Sequence, residues 1–240
     1  MIEWGMGDRD FWIDLASRIG GARVTFAYVI PGGVRNDMPT GLEVQALQTL
    51  DWFDKRMDEY EKIFFKNPLW EERSKGVGVL TREDAIKLGA AGTVLRASGV
   101  AHDIRKAEPY SVYRDFDFSV ASLKDGDCWA RAYVALTEMR ESVKILRQAF
   151  KNIPPGPVRL KLGPQPRVPA GEVYARTEAA HGEMSYFIVS DGSPKPYRVK
   201  IGVGSFKNMR VIPHLLKGLH IADIPPVYWG LNYWPVQADR

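Results

Sequence analysis

Apolar residues recur every three to five positions along two long stretches of the chain, a spacing typical of amphipathic helices. The first stretch covers residues 42–64 and stops before Asn67 and Pro68, and the second covers about 127–151. Helices with such stripes usually pack against one another in a protein core. We therefore expect these two long helices to be the scaffold of the molecule.

Capping residues predict two further helices in the first half of the chain. Asp8 can cap a first helix, and Gly20 and Gly21 can end it. Thr81 begins a short helix that ends at Gly89.

Three other segments have weaker signals. Residues 24–30 are expected to be extended, and residues 90–115 to be irregular, because glycine, arginine, histidine and proline occur there without a period. A last helix is expected near 209–222. Pro225 and Pro226 should end it early, because proline breaks a helix interior.

Residues 171–200 predict three short strands joined by two turns. β-branched and aromatic residues fill the three runs, and the turns fall at 180–182 and 191–193. The Asp-Gly pair in the second turn tolerates a positive φ. Residues 153–171 contain six prolines and are expected to form an extended connector.

The elements predict an α+β, mainly helical fold: a long-helix bundle with a small antiparallel β unit near the C-terminus. We expect a single domain over residues 1–240. Its parts would be a mainly helical core (1–152), a proline-rich connector (153–171), and the β unit with a C-terminal helix and tail (172–240).

Composition narrows the function. The 240 residues carry a net charge of +4, spread along the chain, and no basic cluster is interleaved with aromatics, so nucleic acid is not an expected partner. The single cysteine, Cys128, excludes an internal disulfide and a multi-cysteine metal site. No apolar run approaches a bilayer span and no signal-peptide pattern is present, so we expect a protein that is soluble or held at a membrane by other subunits.

Several short motifs follow one another along nearly the whole chain. They are Pro31-Gly32-Gly33-Val34-Arg35-Asn36-Asp37, Leu95-Arg96-Ala97-Ser98-Gly99, Asp103-Ile104-Arg105-Lys106, Pro109-Tyr110-Ser111-Val112-Tyr113, Gly126-Asp127-Cys128, Glu138-Met139-Arg140-Glu141-Ser142, Pro154-Pro155-Gly156 and the strand unit from Gly171 to Lys200. In this order they resemble the D subunit of the respiratory NADH–quinone oxidoreductase, complex I, and its archaeal relatives. That family lies within the hydrogenase large-subunit superfamily.

The resemblance implies that the chain itself binds no metal. Nickel–iron hydrogenases hold their metals with two C-x-x-C pairs, because soft thiolates suit nickel and low-spin iron. Trp234 and Gln237 stand at the C-terminal cysteine positions of this sequence, and Cys128 matches a helix-start motif rather than a ligand position. We expect no cofactor in this chain, quinone as substrate, and an iron–sulfur cluster in a neighbouring subunit.

Two departures from the family pattern predict a chamber for the electron acceptor. His181 stands where relatives have an arginine, in the first turn of the strand unit. His181 can be a proton donor or simply a satisfied turn residue, and we weigh the two equally. Aromatic residues near the C-terminus either reshape the chamber or fill space left by a broken helix. The chamber residues are expected to be His181, Tyr233, Trp234 and Gln237.

A polar network beneath the chamber is also expected. Its members would be Arg35, Asp37, Arg96, Asp103, Arg105, Glu178, Glu183, Asp191 and Arg198. Buried charges must be paired, so such a network is costly unless it is complete. Solvated loop charges are the alternative, and for Lys106 this is the preferred interpretation.

The resemblance implies a subunit, or part of a split subunit, of a membrane-associated NADH- or ferredoxin-type quinone oxidoreductase. Family members are longer at the N-terminus, so we expect their first half to be missing here or supplied by a separate chain. Other partners would be the iron–sulfur subunit and membrane-arm subunits, which would hold the chain at the cytoplasmic side of the membrane. The alternatives are a non-catalytic structural half-subunit and a ferredoxin-linked complex that reduces a non-quinone acceptor such as a sulfur compound.

Overall fold

The computed structural model describes residues 2–163 and 168–239. The first part is helical apart from a minimal hairpin of β1 (Val29–Ile30) and β2 (Gly33–Val34). Its helices are α1 (Ile2–Gly20), α2 (Leu42–Tyr60) with a π-helical extension (Glu61–Phe65), α3 (Pro68–Ser74), α4 (Arg82–Leu88), α5 (Thr93–Ala97), α6 (Ile104–Ala107) and α7 (Cys128–Lys151). The α+β, mainly helical fold class is therefore confirmed.

The second part carries the β unit and a set of short helices. The strands are β3 (Gly171–Ala179), β4 (Gly182–Ser190) and β5 (Arg198–Gly202), antiparallel in the order β3-β4-β5. After them come α8 (Gly204–Asn208), α9 (Ile212–Leu216), α10 (Ile224–Gly230) and α11 (Pro235–Ala238). The three predicted strands and both turns are confirmed.

One hydrophobic cluster stabilises the first part, and another joins it to the second. Helices α2 and α7 pack along their stripes, with Leu50, Met57, Leu136 and Val143 buried between them, which confirms the predicted scaffold. A second cluster joins α4, α5 and the start of α7 to the short C-terminal helices. Its buried members are Leu80, Ala85, Ala90, Val94, Cys128, Val211, Leu215, Val227 and Leu231.

Several predicted boundaries were right. Asp127 caps α7, and Thr81 caps α4 by accepting a hydrogen bond from the Asp84 backbone. Gly89, in the left-handed region with φ 70°, ends α4. Asn67 does more than stop a helix, because its side chain accepts a hydrogen bond from the Leu69 backbone and so starts α3.

The predicted cap at Asp8 was wrong. Helix α1 already runs from Ile2, so Asp8 lies inside it, buried against α2. Its carboxylate accepts a hydrogen bond from Tyr60 and pairs with Arg56 at 2.9 Å. The extended segment 24–30 is also shorter than expected, since only Val29–Ile30 forms a strand.

Short helices account for the other corrections. Residues 90–115 contain α5, α6 and a 3₁₀ turn (Tyr113–Asp115), each too short to produce a detectable period. The helix predicted at 209–222 is broken into short pieces. Pro225 and Pro226 begin α10 rather than end a helix, because the first turn needs no backbone donor from proline.

The proline-rich connector is only partly described. Residues 153–163 and 168–170 form no regular element apart from a single bridge between Gly33 and Arg159, and residues 164–167 lie outside the described part. Among the helices that are described, none combines the length and apolar character needed to cross a membrane.

Candidate functional site

Three backbone segments meet at the turn between β3 and β4, and glycine permits the contact. A Cβ placed on Gly92, before α5, would lie 2.6 Å from the His181 carbonyl oxygen. A Cβ placed on Gly204, at the start of α8, would lie 2.0 Å from the same oxygen. Real Cβ atoms do not approach that closely, so any larger residue would push the turn away. The β unit is thereby fixed against both α5 and α8.

The His181 side chain points from this turn toward the C-terminal tail. It is half-buried, and burial lowers its pKa while a hydrogen bond with the Gln237 side chain opposes that shift. Ser205 Oγ donates to Gln237 Oε1 at 2.5 Å and accepts from the Trp234 backbone at 3.3 Å. The turn and the tail thus converge, although they are far apart in sequence.

The four residues expected to form the chamber are placed differently from one another. His181 and Gln237 are in direct contact, and Trp234 joins them through its backbone, while its ring is 57% exposed. Tyr233 packs against the hydrophobic cluster that joins α4, α5 and the start of α7 to the short C-terminal helices, and the centre of its ring lies 5.6 Å from that of Tyr228. Tyr233 is therefore part of the packing beneath the tail.

A buried ion-pair cluster lies next to the turn. Arg96 Nε donates to Glu138 Oε1 at 2.5 Å and its Nη1 donates to Glu178 Oε1 at 2.9 Å. The same Nη1 also reaches the His102 carbonyl oxygen at 2.9 Å. Only 4% of the Arg96 side chain is exposed, so buried ion pairs join α5, α7 and β3.

A second pair supports this cluster from α6. Arg105 donates to both carboxylate oxygens of Asp103. Its Nη2 lies 2.7 Å from Oδ2, and its Nε lies 3.0 Å from Oδ1 and 3.2 Å from Oδ2. These bonds hold the pKa of Asp103 below its usual range although burial alone would raise it. Glu178 is fixed further, because Oε2 accepts from the Ile104 backbone at 3.3 Å and its own backbone donates to Tyr110 Oη at 3.1 Å.

Four predicted members of the polar network do not belong to it. Arg35, Asp37, Asp191 and Arg198 are exposed on loops or on the outer strand. Asp37 accepts from the adjacent Met38 backbone, and Asp191 from the Ser193 backbone, so both carboxylates stabilise local turns.

Glu183 lies at the edge of the cluster rather than within it. Its carboxylate pairs with Lys207 at 2.9 Å and with Arg176 at 3.5 Å. It lines the same cavity as Arg96 and Glu178, and it connects β4 to α8.

Two cavities flank the Arg96–Glu178 pair. One, of about 600 Å³, is lined by charged residues and by aromatic residues: Arg96, Arg105, Arg131, Glu138, Glu178, Phe64, Trp70 and Trp229. The second, of about 420 Å³, is lined by Arg96, His102, Glu178, Glu183, Lys207 and Arg210. His181, Tyr233, Trp234 and Gln237 line neither of these two cavities.

Sequence reasoning missed Glu138 and Arg131, because it treated α7 as scaffold. Both lie on the cavity side of this helix with Ala135 and Ser142, at spacings of three or four residues. Arg131 is 1% exposed and donates to the carbonyl oxygens of Gly78 and Gly126. A polar stripe on a helix whose other face is apolar was the available signal.

The donor set does not suit nickel or iron. The sole thiol, Cys128, is fully buried at the start of α7, and Arg131 donates to its Sγ at 3.2 Å. Burial raises the pKa of this thiol, which disfavours the thiolate that a soft metal needs. Among the residues described, no group of three or more histidine, cysteine or acidic side chains could hold a metal ion.

The helical bundle with a C-terminal β unit defines a mainly helical α+β scaffold, and the described residues offer no cluster of metal ligands. The chain belongs to the family of the 49 kDa subunit of the respiratory-chain NADH dehydrogenase, whose model matches residues 1–165 and 160–240. The resemblance found in the sequence motifs is therefore confirmed.

Relatives in this family come from several complexes. The chain is 41% identical over its whole length to the D subunit of the F420H2 dehydrogenase of Methanosarcina mazei, of which it covers 66%. It is 40% identical over 99% of its length to the D subunit of the NADH-quinone oxidoreductase of Thermosipho melanesiensis, again covering 66% of the relative. The chain thus spans slightly less than two thirds of the length of these relatives.

A solved structure shows the same fold. A chain in the structure of the membrane-bound sulfane sulfur reductase, an archaeal respiratory membrane complex, superposes with a TM-score of 0.94 at 35% identity. The match covers 99% of this chain and 66% of the other. The fold described above is therefore shared with a subunit of a membrane-bound respiratory complex.

Proposed function

We propose that the chain is a subunit of a membrane-bound, complex I-like oxidoreductase and contributes one wall of a chamber for the electron acceptor. The observation that carries this proposal is the match of this chain, over nearly its whole length, to subunits of such complexes at about 40% identity. The chain would not be active alone. Its electrons would come from an iron–sulfur cluster in a neighbouring subunit, since its own donor set does not suit a redox metal.

The wall would be the junction of the β3–β4 turn and the C-terminal tail. His181 and Gln237 meet there, and the Nδ1 atom of His181 is buried without a hydrogen-bond partner among the described residues. Because burial lowers its pKa, the neutral form of His181 is favoured, and a movement of the turn or the tail that uncovers Nδ1 would let this nitrogen bond an acceptor oxygen. The exposed Trp234 ring would give the same wall an apolar surface.

The names of different relatives favour two different classes of electron acceptor. A quinone is favoured by the subunits of NADH-quinone oxidoreductases, which account for several of the most similar relatives. A sulfur compound is the second candidate, favoured by the structural match to the sulfane sulfur reductase. We place the quinone first, because the matches to quinone oxidoreductase subunits have the higher identity.

The remaining parts of the proposal concern assembly. We propose that the described parts form a single domain and that the chain is held at the cytoplasmic side of the membrane by an iron–sulfur subunit and membrane-arm subunits. In the described residues the outer edges of β3 and β5 pair with no strand, so the β unit offers two edges to a partner. A structural subunit without a role at the acceptor is the alternative.

The test uses the complete complex, purified from membranes through a tag on this chain. Reduction of a quinone and of polysulfide would be measured for the wild type, for His181→Ala and for His214→Ala. His214 is a matched control, because it is a half-exposed histidine on α9 that faces Asp84. We expect His181→Ala to lower turnover with the natural acceptor and His214→Ala to leave it unchanged.

The pH profile sharpens this test. Turnover that depends on neutral His181 falls as pH drops through a pKa below the ordinary histidine value of about 6.5. That limb should be absent from His181→Ala. A complex that reduces neither acceptor, or a variant with wild-type turnover at every pH, contradicts the chamber and favours the structural alternative.

A further inference from the structure

The buried cluster beside the β3–β4 turn has more carboxylates than cations. Its charged members are Arg96, Asp103, Arg105, Glu138 and Glu178, which count as two positive and three negative groups if all are ionised. The Arg96, Asp103 and Glu178 side chains are 3–6% exposed, and that of Glu138 is 20% exposed. An unbalanced charge in such surroundings is strongly disfavoured.

Most of the cluster is satisfied without Glu138. Asp103 and Arg105 form a closed, two-pronged pair. Arg96 is then left to pair with both Glu138 and Glu178. Glu178 has donors on both oxygens, Arg96 on one and the Ile104 backbone on the other. Glu138 has a single donor, Arg96, among the described residues, and its carboxyl lines the cavity of about 600 Å³.

The other charged groups near α7 have partners of their own. Two arginines of α7 form ion pairs with α2 and its π-helical extension: Arg140 with Asp58 and Glu61, and Arg147 with Asp51 and Asp54. Glu141 pairs with Lys144 on the same helix. Arg131 donates to the carbonyl oxygens of Gly78 and Gly126. Lys106 of α6 lies over the Phe118 ring, Tyr110 accepts a hydrogen bond from the Glu178 backbone, and His102 lines the cavity of about 420 Å³. Helices α3 and α10 contribute only uncharged residues to the cavity beside Glu138.

We propose that Glu138 is a proton-binding site of this subunit: it holds a proton at neutral pH and releases it through the cavity when Glu178 is drawn away from Arg96. Burial raises the pKa of Glu138, and Arg96 opposes that shift. When Glu178 leaves, Arg96 has one carboxylate instead of two. Ionised Glu138 then balances its charge, and the proton passes from the carboxyl group into the cavity.

The site links a proton to the position of the hairpin. Glu178 lies near the end of β3, three residues before His181 in the turn. A displacement of the turn therefore changes the distance between Glu178 and Arg96, and with it the affinity of Glu138 for its proton. The link runs in both directions, since deprotonation of Glu138 adds a second anion on Arg96 and weakens its hold on Glu178. This protonation does not depend on which acceptor the complex uses.

The test is a pH titration of the full chain with ¹³C-labelled glutamate carboxyl groups, followed by NMR. In the wild type, the Glu138 signal should keep the position of a protonated acid at a pH where the exposed glutamates have moved to the ionised position. Glu138→Gln removes this signal and so assigns it. If that variant does not fold, through-bond correlation to the backbone assigns the same signal in the wild type.

The Glu178→Gln variant tests whether Glu178 controls the pKa of Glu138. It leaves Arg96 a single carboxylate, so the pKa of Glu138 should fall and its signal should ionise together with the exposed glutamates. Glu141→Gln is the matched control, because Glu141 lies on the same helix and bonds Lys144 and the Ser119 backbone instead of Arg96. A wild-type Glu138 that titrates with the exposed glutamates overturns the proposal, and so does a Glu138 pKa that Glu178→Gln leaves unchanged.

Discussion

The scaffold of α2 and α7 and the junction around the β3–β4 turn are stabilised in different ways. In the scaffold, many apolar side chains share the contact, and the charged pairs between the helices lie at its surface. At the junction, few apolar side chains take part. Close backbone contacts at Gly92 and Gly204 and the buried ion pairs of Arg96 carry the contact instead.

This difference determines how each region responds to change. A packed stripe distributes the loss of one group over many neighbours, whereas a buried ion pair or a glycine contact depends on single atoms. The junction should therefore be the more sensitive region, and it is also where the chamber and the proton site are proposed. The predictions below compare matched substitutions in the two regions.

The largest effect is expected at the buried arginine. Arg96→Met leaves the Glu178 carboxylate without its cation and the Glu138 carboxyl group without its donor, and should lower the free energy of unfolding by about 3–5 kcal/mol. Arg147→Met in the scaffold also removes two ion pairs, but both acidic partners are well exposed, so about 1 kcal/mol or less should be lost. Urea denaturation of the two variants measures the difference.

Two further substitutions test whether the loss of stability comes from unpaired acidic groups or from the changed shape of the side chain at position 96. Adding Glu138→Gln and Glu178→Gln to Arg96→Met removes the two acidic groups that have lost their donor and should recover part of the lost stability. Equal losses for Arg96→Met and Arg147→Met would show that the junction does not depend on its buried pair.

The next effect concerns backbone contact. Gly204→Ala places a Cβ at 2.0 Å from the His181 carbonyl oxygen and should cost about 1–3 kcal/mol as the turn is displaced. Gly7→Ala is the control in α1, where nothing lies within 4 Å of the new Cβ. In a helix interior, alanine is favoured over glycine by about 0.5–1 kcal/mol, so this variant should be slightly more stable.

Thermal unfolding of both glycine variants provides the measurement. A Gly204→Ala protein that melts with the wild type would mean that α8 moves aside at little cost. The junction would then be softer than the scaffold rather than more sensitive.

The same contrast explains what the sequence could and could not predict. The stripes of α2 and α7 are long enough for their period to show, and the strands of the β unit have a clear β-branched and aromatic composition, so both were predicted correctly. Helices α5, α6 and α8 to α11 span four to seven residues, fewer than two full turns, and no period can appear in them. Their positions are set by tertiary contacts.

The candidate site was predicted in part for a related reason. Arg96, Asp103, Arg105 and Glu178 were expected in one network, and the structure brings them together. The partner of Arg96 on α7, Glu138, is 42 residues further along the chain and lies within an otherwise ordinary helix. A charged residue in a loop was an unreliable guide, since Arg35 and Asp191 also lie in loops and remain at the surface.

A smaller effect is expected from Glu138→Gln, and it depends on pH. The pKa of Glu138 is raised in the folded protein, so its contribution to stability is fully present below the unfolded glutamate value of about 4.3. That contribution is lost as pH rises through the folded pKa. The stability of the wild type relative to the variant should therefore decline with rising pH and then level off. Urea denaturation at a series of pH values checks this, and a difference that grows with pH contradicts it.

The smallest effect on stability is expected at the C-terminal tail. The Trp234 ring is 57% exposed in this chain, so Trp234→Val should change the free energy of unfolding by about 0.5 kcal/mol or less. If the ring faces the acceptor chamber, the same variant should raise the apparent KM for the acceptor roughly tenfold in the assembled complex, equivalent to about 1.4 kcal/mol. Val236→Ala, at a neighbouring residue that is 74% exposed, should change neither quantity. A Trp234→Val complex with unchanged acceptor kinetics would place this ring outside the chamber, and the wall would then consist of His181 and Gln237 alone.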